Sequence, residues 1–295
     1  MPKKIKLGIL SMLFLLLLTP PTFAYTTIVA YGDSLTDDGN TRDYWLWDGL
    51  RRLTDGAIWV ETLAESFGSD LLDTAYAGAT TGYDNPSYWF WPYITGLQWQ
   101  IDNHLPSFDM ESTLFTVWAG ANDFFDGRGY ENAAENIGLA LEKLAGFGAR
   151  DILTLNLPDI AYIPAYYNDA QGPGTTAAAS GWTAGFNDAL EDEIWAFAST
   201  HEAVDLYFLD VFGLFFDHIE LDSNGNITNT LEWEALFWEE DNLHPSEIGH
   251  DLIAQAAYDT LQGNPVPIPG TFLLLVSGLV GLMGLAKKKN FSLSS

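Results

Sequence analysis

Residues 114–157 read LFTVWAGANDFFDGRGYENAAENIGLALEKLAGFGARDILTLNL. The stretch opens on a short apolar run, 114–118, suited to a strand buried on both faces. Ala133, Ile137, Leu141 and Leu144 then recur at helical spacing, and the period stops near Gly146 and Gly148, residues that end helices well. A second apolar run, 152–157, is closed by Pro158. Strand, helix and strand in that order make a βαβ unit, which requires the two strands to be parallel.

Working outward, the same alternation continues. Residues 28–31 read as a strand ending at a turn, 71–76 as a weaker strand and 204–209 as another. Phe186, Leu190, Ile194 and Phe197 mark a helix, and Pro245 is expected at the first position of a last helix running to about Leu261. Strands and helices in turn imply an α/β fold with helices on both faces of a mostly parallel, about five-stranded sheet. In such sheets the working loops lie at the carboxyl ends of the strands. That rule points to the segments after Tyr31, Tyr76, Trp118, Leu157 and Leu209.

The chain has 295 residues, with forty acidic against twelve basic and a net charge of −28. All forty acids lie between Asp33 and Asp259, whereas Lys3, Lys4, Lys6, Lys287, Lys288 and Lys289 sit near the ends. A body this acidic repels phosphate backbones and anionic lipid surfaces, which argues against nucleic acid as a partner. Hydrophobic residues make up 47%, with eleven Trp, so the chain is not a disordered acidic tract. The absence of Cys excludes thiol catalysis, disulfides and thiolate zinc sites.

The two ends read as addresses. A basic stretch at 2–6, an apolar run at 7–18 and Thr22-Phe23-Ala24 have the order of a secretory signal peptide cut after Ala24; an uncleaved anchor is the other reading. At the far end Pro265, Pro267 and Pro269 precede an uncharged run, 271–286, closed by three lysines. Such a run just covers a bilayer core and would keep its lysines on the cytoplasmic side. The organisation is therefore expected to be a signal peptide at 1–24, one domain at 25–263 and a sorting or transmembrane segment at 264–295. Membrane contact would come only through that last segment.

The loop after the first strand is Gly32-Asp33-Ser34-Leu35-Thr36-Asp37-Asp38-Gly39-Asn40. Ser34 stands at the mouth of the sheet, either as a turn or cap residue or as a nucleophile. A serine nucleophile needs a base. Among five histidines, His244 is preceded by Asp241 at a spacing that lets a carboxylate hold one ring nitrogen while the other faces outward. Capping of the helix that follows is the competing role for this pair. Gly120-Ala121-Asn122-Asp123 and Ala77-Gly78-Ala79 follow two of the strands and offer amide donors for an oxyanion. Residues 222–228 look loosely like a calcium loop, but the glycine falls at position four rather than six, so they read as a polar turn. No metal-ligand set and no cofactor motif is expected.

These segments together resemble the GDSL, or SGNH, hydrolases. Gly32-Asp33-Ser34-Leu35 looks like block I, Ala77-Gly78-Ala79-Thr80-Thr81 block II, Gly120-Ala121-Asn122-Asp123 block III and Asp241 with His244 block V. The longer string at 32–40 is similar to the esterase/lipase branch that includes plant GDSL lipases, thermolabile haemolysins and phospholipid–cholesterol acyltransferases. One departure is Asp73, where block II usually has Asn. The resemblance implies a flavodoxin-like three-layer α/β/α sandwich. By position it implies Ser34 as nucleophile, His244 as base, Asp241 as its orienting carboxylate, and Ser34, Gly78 and Asn122 as oxyanion donors. There is no G-x-S-x-G, so the nucleophile elbow of the ordinary α/β-hydrolases is absent. The C-terminal segment resembles a PEP-CTERM sorting signal, with Ile268 in place of the usual Glu, and this implies an exosortase-type processing enzyme as a partner.

The expected function is thus a secreted or surface-anchored serine esterase/lipase acting on a small-molecule, lipid or glycan ester. Acyl transfer and polysaccharide deacetylation are variants of the same chemistry. The rival is a catalytically idle, glycan-binding surface protein. The aromatic stretch 83–99 is a candidate substrate lip, with Trp89 and Trp91 its proposed contacts, or else part of the core.

Overall fold

The computed structural model describes residues 25–41, 52–86, 94–104, 109–168 and 173–266. Five strands form one sheet: β1 (Thr27–Gly32), β2 (Asp70–Asp73), β3 (Thr113–Trp118), β4 (Asp151–Leu155) and β5 (Asp205–Leu209). Their order is β2-β1-β3-β4-β5 and every neighbouring pair is parallel. The helices are α1 (Trp59–Phe67), α2 (Leu97–Asn103), α3 (Ala121–Phe125), α4 (Tyr130–Phe147), α5 (Pro164–Asn168), α6 (Pro173–Thr200), α7 (Val211–Phe216), α8 (Thr230–Glu234) and α9 (Glu247–Gln262). Helix α4 packs on α6, and α1 packs on α9. The result is the expected three-layer α/β arrangement.

The inner strands are apolar because both of their faces are covered. All six residues of β3 and all five of β4 are buried, as parallel sheets between helix layers require. The chain runs from β1 to β2 on one side and then to β3 on the other. The order therefore reverses between β1 and β3, and the crevice at their carboxyl ends is where such sheets bind ligands.

Several boundaries differ from the sequence reading; the strand read at 152–157, for example, ends at Leu155. The second strand ends at Asp73 rather than at Tyr76. Its carboxylate turns the chain there, accepting from the N–H groups of Ala75 (2.7 Å) and Asp38 (2.9 Å). The two donors bind different oxygens, so an Asn here, with NH2 in place of one oxygen, would keep only one of them. Burial, with Asp38 nearby, pushes the Asp73 carboxyl well above its ordinary range. The last helix also begins two residues later than expected. Pro245 is bridged to Phe237, and Ser246 is the N-cap, its hydroxyl accepting from Gly249 N–H at 3.3 Å.

The contact between α9 and α1 holds a buried imidazole. His250 Nδ1 accepts from Trp59 N–H at 3.2 Å. Burial, reinforced by His244, pushes its pKa from 6.5 down to about 3. The unfolded chain takes up this proton near pH 6.5 and the folded chain only near pH 3. Its contribution to stability is complete above 6.5 and is lost as pH falls toward 3. His250→Asn retains an acceptor for Trp59 and removes the titration. Over pH 4–6.5 the variant should lose stability less steeply, by up to about 1.4 kcal/mol per pH unit. Urea unfolding of both proteins across that range measures the difference. Asp33 and Asp151, raised by burial to about 7 and about 6, act with the opposite sign in both proteins.

Candidate active site

The turn leaving β1 is built to present Ser34. The backbone carbonyl of Asp33 accepts from the N–H groups of Thr36 and Asp37, both at 3.0 Å, which curls the chain directly after the strand. The strand end is clasped from α2: Gln100 Oε1 accepts from Gly32 N–H (2.9 Å), and Gln100 Nε2 donates to Gly32 C=O (2.8 Å). Asp37 fixes the far side of the loop. It accepts from the N–H groups of Gly39 and Asn40, from the Thr41 hydroxyl, and from Ala77 N–H at 2.8 Å, which ties the Ser34 loop to the glycine loop after β2.

His244 approaches from the segment before α9. Asn242 has φ 56°, the left-handed region that Asn tolerates better than most residues. This kink folds Asp241 back over its successors. Asp241 Oδ1 accepts from Leu243 N–H (2.8 Å) and His244 N–H (3.1 Å), and Oδ2 lies 2.6 Å from His244 Nδ1. The opposite ring nitrogen, Nε2, lies 2.8 Å from Ser34 Oγ. Burial pushes the Asp241 carboxyl up, but the His244 hydrogen bond and the two backbone donors outweigh it and hold the group below its ordinary value. The carboxylate is therefore charged at neutral pH. Capping of α9 falls to Ser246 rather than to the Asp241–His244 pair, and His244 lines the cleft.

The other expected members converge on the same cleft, of about 300 Å³, which Ser34, Gly78, Asn122 and His244 all line. A turn closed by Ala79 N–H to Tyr76 C=O (3.0 Å) carries Gly78 at φ 80°, where a side chain would be strained. Gly120, at φ 147°, opens α3; a Cβ there would lie 2.8 Å from the Phe186 ring. Asn122 in the first turn of α3 donates from Nδ2 to Ala79 C=O at 3.0 Å and, more weakly, to Asp33 Oδ2 at 3.3 Å. One amide thus bridges the residues adjoining Gly78 and Ser34. Its longer bond is the one an oxyanion can take over.

Asp33 is the member that sequence reading passed over. It is buried, and its Oδ1 accepts from Leu35 N–H at 3.0 Å. Burial raises its pKa to about 7, with Asp123 adding to the rise and Leu35 N–H and His244 opposing it. Its place inside the 32–40 motif was the only signal available. Gln100 and Asn242 were also missed.

The proposed contacts Trp89 and Trp91 lie outside the described residues, as do residues 1–24 and 267–295. The described aromatics of the 83–99 segment turn elsewhere. Tyr83 is exposed, its hydroxyl donating to Asp102 at 2.8 Å, and Trp99 packs edge-on against Tyr76 and His104. Neither lines the cleft. Residues 222–226 form the expected polar turn, with Asp222 accepting from the N–H groups of Asn224 and Asn226. Among the described residues there is no cluster of metal-ligating side chains and no helix long and apolar enough to cross a membrane.

A hydroxyl, an imidazole and a carboxylate hydrogen-bonded in series at the switch point of a parallel sheet form an arrangement suited to acyl transfer. The GDSL-like lipase/acylhydrolase family matches residues 28–257. The chain belongs to that family and is a carboxylic ester hydrolase. Among solved structures, a GDSL-like lipase from Parabacteroides merdae superposes with a TM-score of 0.50 at 13% identity, over 81% of this chain and 97% of that one. A lipolytic protein of the G-D-S-L family from Veillonella parvula gives 0.48 at 18% identity, over 79% and 96%. The psychrotrophic esterase of a Pseudoalteromonas species gives 0.45 at 20% identity, over 80% and 97%. No curated protein matches the chain.

Proposed function

We propose that this protein is an exported serine esterase/lipase that opens carboxylic esters through an acyl-enzyme. Ser34 is the nucleophile, His244 the base and then the acid, and Asp241 the carboxylate that orients the ring. The observation that carries the assignment is the 2.8 Å separation of Ser34 Oγ and His244 Nε2, groups 210 residues apart in the chain. Ser34 gives its proton to His244 Nε2 as Oγ bonds to the ester carbon. The carbonyl oxygen becomes an oxyanion facing Ser34 N–H, Gly78 N–H and Asn122 Nδ2. Collapse expels the alcohol, which takes the proton from His244. Water then enters, loses a proton to His244 and releases the acid, while Ser34 recovers its proton. An alcohol entering instead of water gives acyl transfer by the same steps.

Residues 1–24 serve this reading as an export signal. Residues 264–295 serve it as a C-terminal sorting segment of the PEP-CTERM kind, processed by an exosortase-type enzyme. The string at 32–40 supports placement in the phospholipase and thermolabile haemolysin branch.

A fluorophosphonate probe tests the nucleophile. It is expected to label Ser34 in the folded protein and to leave Ser34→Ala unlabelled; an unlabelled but folded parent protein would overturn the reading in favour of an idle binding protein. Asn122→Ala, which removes one oxyanion donor, is expected to lower kcat by roughly 10²–10³ with a much smaller change in KM. An unchanged kcat removes Asn122 from the mechanism.

A further inference from the structure

Asp33 precedes the nucleophile in the chain, yet it stands outside the path that carries the proton from Ser34 to His244. Its side chain is buried and still makes contacts on two sides. Oδ1 accepts from Leu35 N–H, in the turn that presents Ser34, and Oδ2 accepts from Asn122 Nδ2, on α3. Gly120 N–H, at the head of α3, also favours its charged form. Asn122 donates in turn to Ala79 C=O, next to Gly78. One carboxylate is therefore tied to all three segments that supply an oxyanion donor, two directly and the third through Asn122.

These partners decide which way the Asn122 amide faces. A side-chain amide carries a donor nitrogen and an acceptor oxygen on opposite sides, and turning it over exchanges them. Turned over, Asn122 would set its oxygen against Ala79 C=O and Asp33 Oδ2, acceptor against acceptor. It would also offer an oxyanion a lone pair in place of an N–H. Ala79 supplies a neutral acceptor and Asp33 a charged one, the stronger kind of partner for an N–H. The neighbouring acid cannot stand in, because the Asp123 oxygens are taken by the Thr81 N–H (2.9 Å) and the Thr81 hydroxyl (3.0 Å). At 3.3 Å the Asn122–Asp33 bond is long, so it holds the amide in line and yields when a closer acceptor arrives.

We propose that Asp33 is a positioning residue for the ester reaction: it keeps the Nδ2 side of Asn122 turned toward the oxyanion site and gives up one amide hydrogen as the tetrahedral oxyanion forms. The proposal rests on the roles given to Ser34 and Asn122 above, and its test separates the failure of those roles from its own.

The test is a double-mutant cycle with Asp33→Asn, Asn122→Ala and the pair. It is read as kcat and KM for a nitrophenyl ester, well above the pKa of about 7 to which Asp33 is raised. In Asp33→Asn the side-chain oxygen can keep Leu35 N–H, and the new NH2 then meets Asn122 Nδ2 donor to donor. That change should lower kcat about thirtyfold and leave KM within about twofold, an effect in the range for residues in contact. In the Asn122→Ala background it should cost less than about threefold, because the group Asp33 acts on is already gone. Factors that multiply instead would put the role of Asp33 in the turn around Leu35 and overturn the proposal. A second readout does not depend on the stability of Asp33→Asn. In parent protein carrying isotope-labelled asparagine, the Asn122 side-chain NMR signal, identified by its absence from Asn122→Ala, should shift with a midpoint near 7 as Asp33 ionises. A signal that stays fixed overturns the proposal. His244 and Asp123 are the other charged groups facing Asp33, and a shift that persists in Asp33→Asn belongs to them and overturns it as well. Parent protein that takes no fluorophosphonate label fails at Ser34, and an unchanged kcat in Asn122→Ala fails at the oxyanion donor; either defeats the earlier assignment and this one with it.

Discussion

Ser34→Ala should fold as the parent does and hydrolyse its best nitrophenyl ester about a millionfold more slowly. The size follows from how the parts act together. Without Oγ there is no acyl-enzyme, and the imidazole has nothing to activate but water, held in a cleft shaped for another nucleophile. In serine hydrolases, loss of the nucleophile costs on the order of 10⁶ in kcat, and what remains comes from the oxyanion donors and substrate binding. The fold should tolerate the change, because Ser34 is only half-buried and its loop is held by the backbone carbonyl of Asp33 and by Asp37. Equal melting temperatures for the two proteins, with ester turnover and probe labelling both lost, form the expected result. A variant retaining a tenth of the parent's turnover would mean that the 2.8 Å contact to His244 has no part in the chemistry.

Parts of this molecule can be read from sequence because their causes are local. Strands β1 and β3 are apolar runs since helix layers cover both faces, and α4 declares itself through the spacing of Ala133, Ile137, Leu141 and Leu144, all buried. The end of β2 was harder. The apolar character continues through Ala75 and Tyr76, and backbone bonds to β1 persist beyond the regular strand, from Thr74 N–H to Ala30 C=O (2.9 Å) and from Tyr76 N–H to Gly32 C=O (3.3 Å). Pro245 misled for a related reason. Proline suits the first turn of a helix, but here the next residue offers a hydroxyl that caps Gly249 and also donates to Ala235 C=O at 2.7 Å, so the helix starts from Ser246.

The site divides in the same way. Ser34, Gly78 and Asn122 sit in short motifs after strands and His244 in one before the last helix, and the structure brings these four to one cleft, with Asp241 hydrogen-bonded to His244. The groups that position them depend on pairings no local pattern predicts. Gln100 reaches Gly32 across 68 residues, and Asn122 reaches Asp33 across 89. A buried Gln on an amphipathic helix looks like an ordinary polar residue until the strand end it clasps is known. The apolar lining of the cleft was equally hidden, because Leu157, Ile163, Phe215 and Phe237 belong to no motif and are buried in the fold. Only the order of the strands sets them along one side of the cleft.

Asp241→Asn should be the most informative of the conservative changes, with kcat reduced by about 10⁴ and the fold intact. The Asn side-chain oxygen can keep the two backbone bonds now made by Oδ1, to Leu243 and His244 N–H. Its amide nitrogen then takes the place of Oδ2 and becomes a donor facing His244 Nδ1, 2.6 Å away in the parent protein. The ring must answer by accepting at Nδ1, which puts its proton on Nε2. A protonated Nε2 can donate to Ser34 Oγ but cannot take its proton, so the geometry survives while the base is disabled. The lost carboxylate also removes the charge that stabilises the imidazolium formed as Ser34 attacks. Fluorophosphonate labelling should slow together with turnover, because both depend on the same proton transfer. If labelling and turnover fell less than tenfold, with melting temperature unchanged, Asp241 would be serving only to shape the loop around Asn242.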